Sequence, residues 1–194
     1  MTVVLITGSS CTGKTTLGKW LSEHLNIPLI SKDSYKELVF DHLGWSDREW
    51  SKKVGALGFD LLYGEAEKLI MCGYSFIAEG NFRPDKHSHH WTALQKTYHV
   101  SIVQVLCHAH GDVLVERFRQ RVTNGERHPG HVDHITIEEL TRELHQGKYC
   151  PLSVEGRVIE VNTTKFSDVK YDQILQQIKE EIEKRNDGRI TPQQ

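Results

Sequence analysis

Short apolar runs alternate along the chain with stretches of helical periodicity. The runs have the length of strands and lie at residues 3–7, 28–30, 75–78, 100–107 and 158–161. After the first run, Leu17, Leu21 and Leu25 follow the i, i+4, i+8 spacing of a helix that ends at Asn26. A similar spacing from residue 174 predicts the last helix. Because strands that alternate with helices pair in parallel, the pattern predicts a parallel sheet with helical crossovers.

Two longer intervals interrupt this alternation. About residues 34–72 have a mostly helical pattern and form an insertion that could cover a second substrate. Its predicted buried positions are Leu38, Val39, Leu57, Leu61, Leu62, Leu69 and Ile70. Asn124-Gly125 and Pro129-Gly130 later interrupt a segment rich in Arg and His, so we interpret about residues 117–134 as a mobile lid. We expect one domain over residues 1–186 and a polar tail at 187–194.

A phosphate-binding loop lies directly between the first apolar run and the first helix. The motif G-x-x-x-x-G-K-[ST] is matched in full by Gly8, Ser9, Ser10, Cys11, Thr12, Gly13, Lys14 and Thr15, with Thr16 next in the helix. The glycines permit a backbone that surrounds a β-phosphate with N–H groups. Lys14 is predicted to reach the β and γ oxygens of ATP, and the Thr15 hydroxyl to bind Mg²⁺.

Composition narrows the class of protein. The 194 residues include 24 Lys and Arg against 26 Asp and Glu, a formal charge of −2, which makes nucleic acid an unlikely partner. No run approaches the length of a membrane span. The four cysteines are scattered without CxxC spacing, so we expect a reduced, cytoplasmic protein without a disulfide framework. Cys11 could have a lowered thiol pKa at the helix N-terminus, or could simply fill a variable loop position.

The motif, with the length of the chain, resembles the nucleoside-monophosphate-kinase-like branch of P-loop enzymes. That group includes chloramphenicol phosphotransferase, gluconate and shikimate kinases, zeta toxins and small AAA-family ATPases. The resemblance spans most of the chain. It implies a three-layer α/β/α sandwich with a five-stranded parallel sheet in the order 2-3-1-4-5. It also implies an acidic residue after the second strand at Asp33, an acceptor-covering insertion at 34–72 and an arginine-bearing lid at 117–131.

Two carboxylates are placed at the carboxyl edge of the predicted sheet. Asp33 follows the second strand and is a candidate catalytic base, magnesium neighbour or acceptor ligand; alternatively, it caps the next helix. Glu79 closes the third strand at a position that the resemblance assigns to Mg²⁺ or the acceptor. Asn81 and Arg83 follow it as further acceptor ligands. Related kinases often have Arg three residues after this Asp, whereas this chain has Lys36, which keeps the charge but not a bidentate fork.

The predicted lid supplies arginines and histidines. Arg117, Arg121 and Arg127 are candidates for contacts with adenine or phosphate, because planar guanidinium groups match the charge of a phosphoryl transition state. Arg121 and Arg127 are the predicted catalytic pair; the alternative is a solvated helix face. His128 and His131 are candidate acceptor or phosphate ligands, and their spacing with His134 does not favour zinc because no cysteine is near. After the last strand, Asn162 and Thr163 are placed beside adenine by position.

These features predict an ATP-dependent phosphotransferase with Mg²⁺ as its metal and a hydroxyl of a small molecule as its phosphate acceptor. The acceptor is a metabolite, a nucleoside or nucleotide, or an antibiotic, and the oligomeric state is not specified by the sequence. One alternative is a nucleotide-dependent switch that acts on a protein partner, which the lack of an hhhhD[DE] segment disfavours. Another is a kinase of nucleic-acid ends, which the net charge disfavours.

Overall fold

The computed structural model describes residues 1–145 and 149–187 and contains one five-stranded parallel sheet. Its strands are β1 (Thr2–Gly8), β2 (Leu29–Ser31), β3 (Phe76–Glu79), β4 (Ser101–His108) and β5 (Arg157–Asn162). Each strand begins and ends within one residue of the run that predicts it. The strand order is β2-β3-β1-β4-β5, which confirms the expected 2-3-1-4-5 topology.

Seven α-helices connect or flank the strands within the described ranges. They are α1 (Lys14–Leu25), α2 (Lys32–Leu43), α3 (Arg48–Met71), α4 (Pro84–Tyr98), α5 (Gly111–Asn124), α6 (Ile137–His145) and α7 (Tyr171–Asp187). Short 3₁₀ helices lie at Pro129–His131, Asp133–Ile135 and Phe166–Asp168. The last helix extends to the first residue of the predicted polar tail, and the rest of that tail, residues 188–194, lies outside the described part of the chain.

The central strand is apolar throughout because both of its faces are covered. Val3 and Leu5 pack in a core with residues of α3 and α4, whereas Val4 and Ile6 pack in a second core with residues of α1 and α7. Alternating side chains point to opposite faces of a strand, so a strand between two helical layers loses the usual alternation of apolar and polar residues. The apolar run of β1, which is covered by helices on both faces, therefore accounts for the α/β/α sandwich.

The helix boundaries have local causes. Asn26 and Gly125 end α1 and α5 in the left-handed conformation, with φ of 52° and 62°. Asp47 begins α3 by accepting a hydrogen bond from the Trp50 N–H at 2.8 Å. The predicted break at Asn124-Gly125 is thus present, but the segment interpreted as a lid starts inside α5 and not after it.

The predicted burial of the insertion is partly wrong. Leu62 and Ile70 are buried, but Leu38, Leu57 and Leu61 are exposed, with Leu38 at 56%. In α3 the buried positions follow another face of the helix, which contains Ser51, Val54, Gly58, Leu62, Ala66 and Ile70. In α2 the buried positions are Lys32, Lys36 and Phe40, so two of the three residues on its inner face are lysines.

Candidate active site

The phosphate loop connects β1 to α1 and depends on its two glycines. Gly8 has a φ of 145°, and a Cβ atom at this position would lie 2.1 Å from the Cys107 carbonyl oxygen. Gly13 has a φ of 78°, and its Cβ would lie 2.7 Å from the Phe166 ring. Both positions exclude larger residues through backbone conformation and through close contact with Cys107 and Phe166, so the two glycines fix the shape of the loop.

Lys14 is buried at the base of this loop, where its Nζ donates a hydrogen bond to the Ser9 carbonyl oxygen at 2.7 Å. Thr12 Oγ1 donates to the same oxygen at 2.9 Å. Burial lowers the pKa of Lys14, and the charge of Glu79 acts in the opposite direction. Burial raises the pKa of the Cys11 thiol, despite Arg121, so the helix N-terminus does not produce a thiolate here.

Glu79 ends β3 next to β1, because its Cα is in register with that of Ile6. Its Oε2 accepts a hydrogen bond from Ser31 Oγ at 2.6 Å and a longer one from Thr15 Oγ1 at 3.4 Å. The carboxylate is buried and therefore depends on these donors. An acidic group thus lies beside the first helical turn although the sequence has no hhhhD[DE] segment.

Asp33 lies inside the first turn of α2, because that helix begins at Lys32 and Ser31 occupies the N-cap. Its carboxylate pairs with Arg127 and with Lys32, whose Nζ is 2.5 Å from Asp33 Oδ1. Burial acts to raise the pKa of Asp33, but Arg127, Lys32 and His131 outweigh it and hold the pKa well below its usual range. Asp33 is therefore ionised and carries two cationic partners.

The predicted catalytic arginines meet at a residue that sequence reasoning missed. Asp133 accepts hydrogen bonds from Arg121 at 2.9 Å and from Arg127 at 3.3 Å. Arg127 bridges Asp133 and Asp33, so it joins the segment after α5 to α2. Neither of the two guanidinium groups is solvated as a free surface cation, which was the alternative interpretation.

Arg117 takes a different position, beside the loop that follows β5. Its guanidinium carbon lies 3.8 Å from the centroid of the Phe166 ring, and its Nη2 donates to the Thr163 carbonyl at 2.8 Å. Asn162 Oδ1 accepts from the Thr164 N–H at 2.9 Å and shapes this loop. A flat cation and an aromatic ring therefore border the phosphate loop on the side where α5 and the 162–166 loop meet.

The two candidate histidines contact α2. His131 Nε2 lies 2.8 Å from Glu37 Oε1, and His128 Nε2 lies 3.1 Å from Asp41 Oδ1. Burial lowers the pKa of His131 to about 4, although Glu37 acts in the opposite direction, so this ring is neutral at pH 7. Within the described chain, no group of three or more His, Cys, Asp or Glu side chains is arranged to hold a metal ion.

The remaining predicted acceptor ligands lie next to a groove between α2, α3 and α4. Lys36 is buried, and its Nζ donates to Ser51 Oγ at 2.9 Å. Burial, followed by the charge of neighbouring Lys32, lowers the pKa of Lys36 to about 7. Asn81 lines the groove and both adjacent cavities. Arg83 also lines the groove, where it is exposed and pairs with Asp85 at 3.5 Å.

One cleft of about 700 Å³ brings many of the predicted residues together. Those that line it are Ser10, Cys11, Gly13, Lys14, Thr15, Thr16, Asp33, Glu79, Asn81, Arg117, Arg121 and Arg127. Lys36 and His131 line the adjoining 140 Å³ cavity instead. Ser31, Lys32 and Phe166 also line the cleft and Asp133 lines the adjoining cavity, although the sequence interpretation did not single them out. Ordinary Ser, Lys, Asp and Phe residues carry no motif, so only their tertiary contacts identify them.

Residues 3–146 match the model of the AAA domain family AAA_33. The chain belongs to this family. A solved structure from Chloroflexus aurantiacus J-10-fl, described as a "putative kinase", is 38% identical, has a TM-score of 0.84, and matches over 92% of this chain and 97% of that chain. The chain therefore has a P-loop nucleotide-binding fold of the kinase type.

More distant structures share the fold. A sugar kinase from Janibacter sp. HTCC2649 is 14% identical with a TM-score of 0.57, and the match covers 92% of each chain. A gluconokinase from Sinorhizobium meliloti 1021 is 17% identical with a TM-score of 0.50, over 90% of this chain and 87% of that chain. No curated protein matches the chain at a significant level. Among the described helices, none has both the length and the apolar character needed to cross a bilayer.

Proposed function

We propose that this protein is an ATP-dependent kinase that transfers the γ-phosphoryl group of ATP to a hydroxyl of a small molecule. The observation that carries the proposal is the 700 Å³ cleft, which is lined at once by the phosphate loop, by Asp33 and by Arg127. Phosphoryl transfer needs a phosphate cradle, a group that orients the acceptor and cations that match the transferred charge. The three parts come from distant segments of the chain and share one space.

The loop geometry fits a nucleotide triphosphate. Gly8 and Gly13 hold the loop backbone at positive φ, a conformation that glycine favours, and the N-terminus of α1 adds its dipole. Lys14 extends from the first position of that helix and supplies the positive charge for the β and γ oxygens. Arg117 and Phe166 border the same cleft and are suited to hold the adenine ring.

The residues around Thr15 fit Mg²⁺. Thr15 Oγ1 and Glu79 Oε2 are hard oxygen donors 3.4 Å apart, and Mg²⁺ prefers few protein oxygens together with phosphate and water ligands. Ser31 fixes the Glu79 carboxylate by its 2.6 Å hydrogen bond. When bound, the metal would neutralise charge on the phosphate oxygens. The chain's own contribution is to place the hydroxyl of Thr15 and the carboxylate of Glu79 at the edge of the cleft.

Asp33 orients the acceptor and receives its proton. In the transfer, a bond forms between the acceptor oxygen and the γ-phosphorus, the bond from that phosphorus to the β–γ bridging oxygen breaks, and ADP leaves. The acceptor proton passes to Asp33. A carboxylate with a strongly lowered pKa is a weak base, so Asp33 acts chiefly by orientation until its cationic partners move. A loose transition state tolerates such late proton transfer.

Arg127 is placed to leave Asp33 and contact the transferred phosphoryl group. It pairs with Asp33 at the border of the cleft and keeps a second partner in Asp133. We infer that its guanidinium contacts the phosphoryl oxygens during transfer, which removes a positive charge from Asp33 and raises the pKa of that carboxyl toward its ordinary value. The segment that contains Arg127 then acts as the lid, and α2 with α3 acts as the cover of the acceptor.

The proposal is tested by incubating the protein with Mg²⁺ and γ-labelled ATP against a panel of sugars, sugar acids, nucleosides and aminoglycoside-like alcohols. The expected result is label in one acceptor class and ADP in equal amount. The matched control is Lys14→Ala, in which transfer is lost. Fast hydrolysis that no small acceptor changes, and that a protein partner stimulates, would contradict the proposal and support a nucleotide-dependent switch.

A further inference from the structure

The second helix turns two lysines toward the interior and a leucine toward solvent. Lys32 and Lys36 form its buried stripe together with Phe40, whereas Leu38 is 56% exposed. Burial of a charged group without full compensation is unfavourable, so stability alone would select the opposite orientation. Local conflict between a residue pattern and its environment is expected at functional sites. The inward face of α2 therefore points to a ligand.

Of these two lysines, Lys36 has the fewer charged partners. Its Nζ donates to Ser51 Oγ at 2.9 Å and lies 5.3 Å from the centroid of the Phe40 ring. Gly55 leaves space beside it, because a Cβ there would be 3.7 Å from the Nζ. Within residues 1–145 and 149–187, no carboxylate lies within ion-pair distance of Lys36, although neighbouring cations have such partners. These pairs are Lys32 with Asp33, Arg48 with Glu139 and Arg83 with Asp85.

Lys36 also lies where an acceptor would have to bind. It lines the 140 Å³ cavity, which reaches Ser9 and Ser10 of the phosphate loop, and the groove of about 820 Å³ between α2, α3 and α4. It follows Asp33 by three residues on the same helix, a spacing that brings side chains to about 5–6 Å between Cβ atoms. Asp33 lines the 700 Å³ cleft, so a molecule whose hydroxyl is at Asp33 would reach Lys36 past Lys32 and Asn81, which line the cleft, the cavity and the groove.

We propose that the phosphate acceptor carries an oxyanion, a carboxylate or a phosphate group, and that Lys36 binds this oxyanion together with the Ser51 hydroxyl. The inference rests on the kinase function proposed above. Ser51 accepts a hydrogen bond from Lys36 and retains its own O–H, so both groups can donate to one oxyanion. Charge-assisted hydrogen bonds in a buried place are stronger than neutral ones. An oxyanion would supply the counter-charge that the described part of the chain does not place within ion-pair distance of Lys36.

Charges of both signs line the groove. Its carboxylates are Asp60, Glu67, Glu139 and Glu143, and its Lys and Arg residues are Lys32, Lys36, Arg48, Lys52, Arg83 and Lys86. Lys32, Arg48 and Arg83 pair with carboxylates, whereas Lys52 and Lys86 are exposed. Lys36 is buried and lacks such a pair within the described residues, so the oxyanion is expected there, while the uncharged part of the acceptor extends toward the aromatic residues Phe59 and Tyr63 of α3.

Binding can be measured without knowing the acceptor. The protein is saturated with Mg·ADP and titrated with trifluoroacetate, a carboxylate probe, and with monofluorophosphate, a phosphate probe, by ¹⁹F NMR. The expected result is that at least one probe binds and that Lys36→Met weakens it by about 10-fold or more, the usual worth of a hydrogen bond to a charged group. The control is Lys53→Met, which removes an exposed lysine of the same helix pair outside the groove. Equal binding in all three proteins would overturn the proposal.

Transfer assays separate this inference from the proposed function. Each set of acceptors shares one carbon skeleton and differs in charge: D-glycerate, glycerol 3-phosphate and glycerol, then D-gluconate, glucitol 6-phosphate and D-glucitol. Preference for one anionic member, lost in Lys36→Met and kept in Lys53→Met, supports both proposals. Phosphorylation of the neutral member as fast as its anionic partners overturns the oxyanion inference and leaves the kinase function intact. Probe binding that depends on Lys36 without transfer to any acceptor supports the oxyanion site and counts against the kinase function.

Discussion

The phosphate loop and the contact between α2 and the segment after α5 border the same cleft but are built differently. The loop is one continuous stretch, Gly8–Thr15, whose shape depends on its own glycines. The other region joins residues that are 94 and 87 positions apart: Asp33 with Arg127, Glu37 with His131 and Asp41 with His128. A local motif can therefore be read from sequence, whereas these partners depend on the fold.

The three acidic residues on α2 explain how this second contact is formed. They are spaced at i, i+4 and i+8, so they lie on one face of the helix. Each pairs with a basic residue of the segment that we propose as the lid. The Asp33–Arg127 pair is charged on both sides, whereas His131 is neutral at pH 7 and contacts Glu37 by a hydrogen bond. This contact therefore depends on side chains of two separate segments, whereas the phosphate loop is fixed by backbone geometry.

The largest effect is expected on the phosphate-loop side. Lys14→Ala removes the buried ammonium that serves the β and γ oxygens, and we expect the rate of transfer to fall about 10³-fold, the upper range for loss of one charge-stabilising group. Steady-state kinetics with labelled ATP measure this. Lys53→Ala is the control and should retain the native rate. A Lys14→Ala rate near that of the native protein would contradict the assignment of the loop.

Smaller effects are expected from the arginines, and we expect them on different kinetic constants. Arg127→Ala should lower kcat about 10²-fold with little change in the KM for ATP, because its charge is needed during transfer. Arg117→Ala should instead raise the KM for ATP about 10-fold, because this residue stacks beside Phe166 at the edge of the cleft. Arg119→Ala, at an exposed position of the same helix as Arg117, is the control. The same kinetic signature in Arg127→Ala and Arg117→Ala would show that the two regions are not separate.

The smallest effect concerns stability at Lys36. Burial lowers the pKa of this lysine from 10.5 to about 7, so the unfolded chain binds more protons between those values and the free energy of unfolding falls as the pH falls from 10.5 toward 7. At pH 7 the cost is on the order of 4 kcal/mol. Besides burial, the pKa of Lys36 depends on the charges of Lys32, Asp33, Arg48 and Arg127.

Lys36→Met removes that cost but leaves the Ser51 hydroxyl without its donor, which costs about 1–3 kcal/mol. We therefore expect the empty protein to gain about 2 kcal/mol at pH 7 and to lose about 1 kcal/mol at pH 10, where the shifted pKa of Lys36 costs only about 1 kcal/mol. Urea unfolding at the two pH values measures the difference, with Lys53→Met as reference. A loss of stability at pH 7 would contradict the claim that Lys36 is retained at a cost for ligand binding.

The sequence predicted the sheet because each strand is a compact apolar run buried on two faces. It failed where burial does not follow hydrophobicity. Leu38 was expected inside α2, but Lys32 and Lys36 occupy that face. Helical periodicity identifies an inner face only when its residues are apolar, and this inner face lines a groove instead of the core.

The same contrast applies to the site residues. Lys14 and Thr15 are specified by a motif, and Asp33 and Glu79 by their position at the ends of strands. Asp133 was missed, since its importance comes from two arginines that contact it through the fold. The histidines were considered as phosphate ligands, yet the structure gives His131 a carboxylate partner on α2. A pairing between distant segments leaves no spacing pattern in the chain.

The central claim is that the cleft directs a phosphoryl group to an acceptor and not to water. Its most direct test is the ratio of acceptor-dependent transfer to acceptor-independent hydrolysis in Asp33→Asn, measured in one assay with labelled ATP. A cooperative unfolding transition would confirm that the variant is folded, at a lower melting temperature because Arg127 and Lys32 lose their carboxylate partner. We predict that transfer falls by about 10²–10⁴-fold, while hydrolysis falls much less because the phosphate loop is intact. An unchanged ratio would contradict the claim, since Asp33 would then serve the acceptor no more than it serves water.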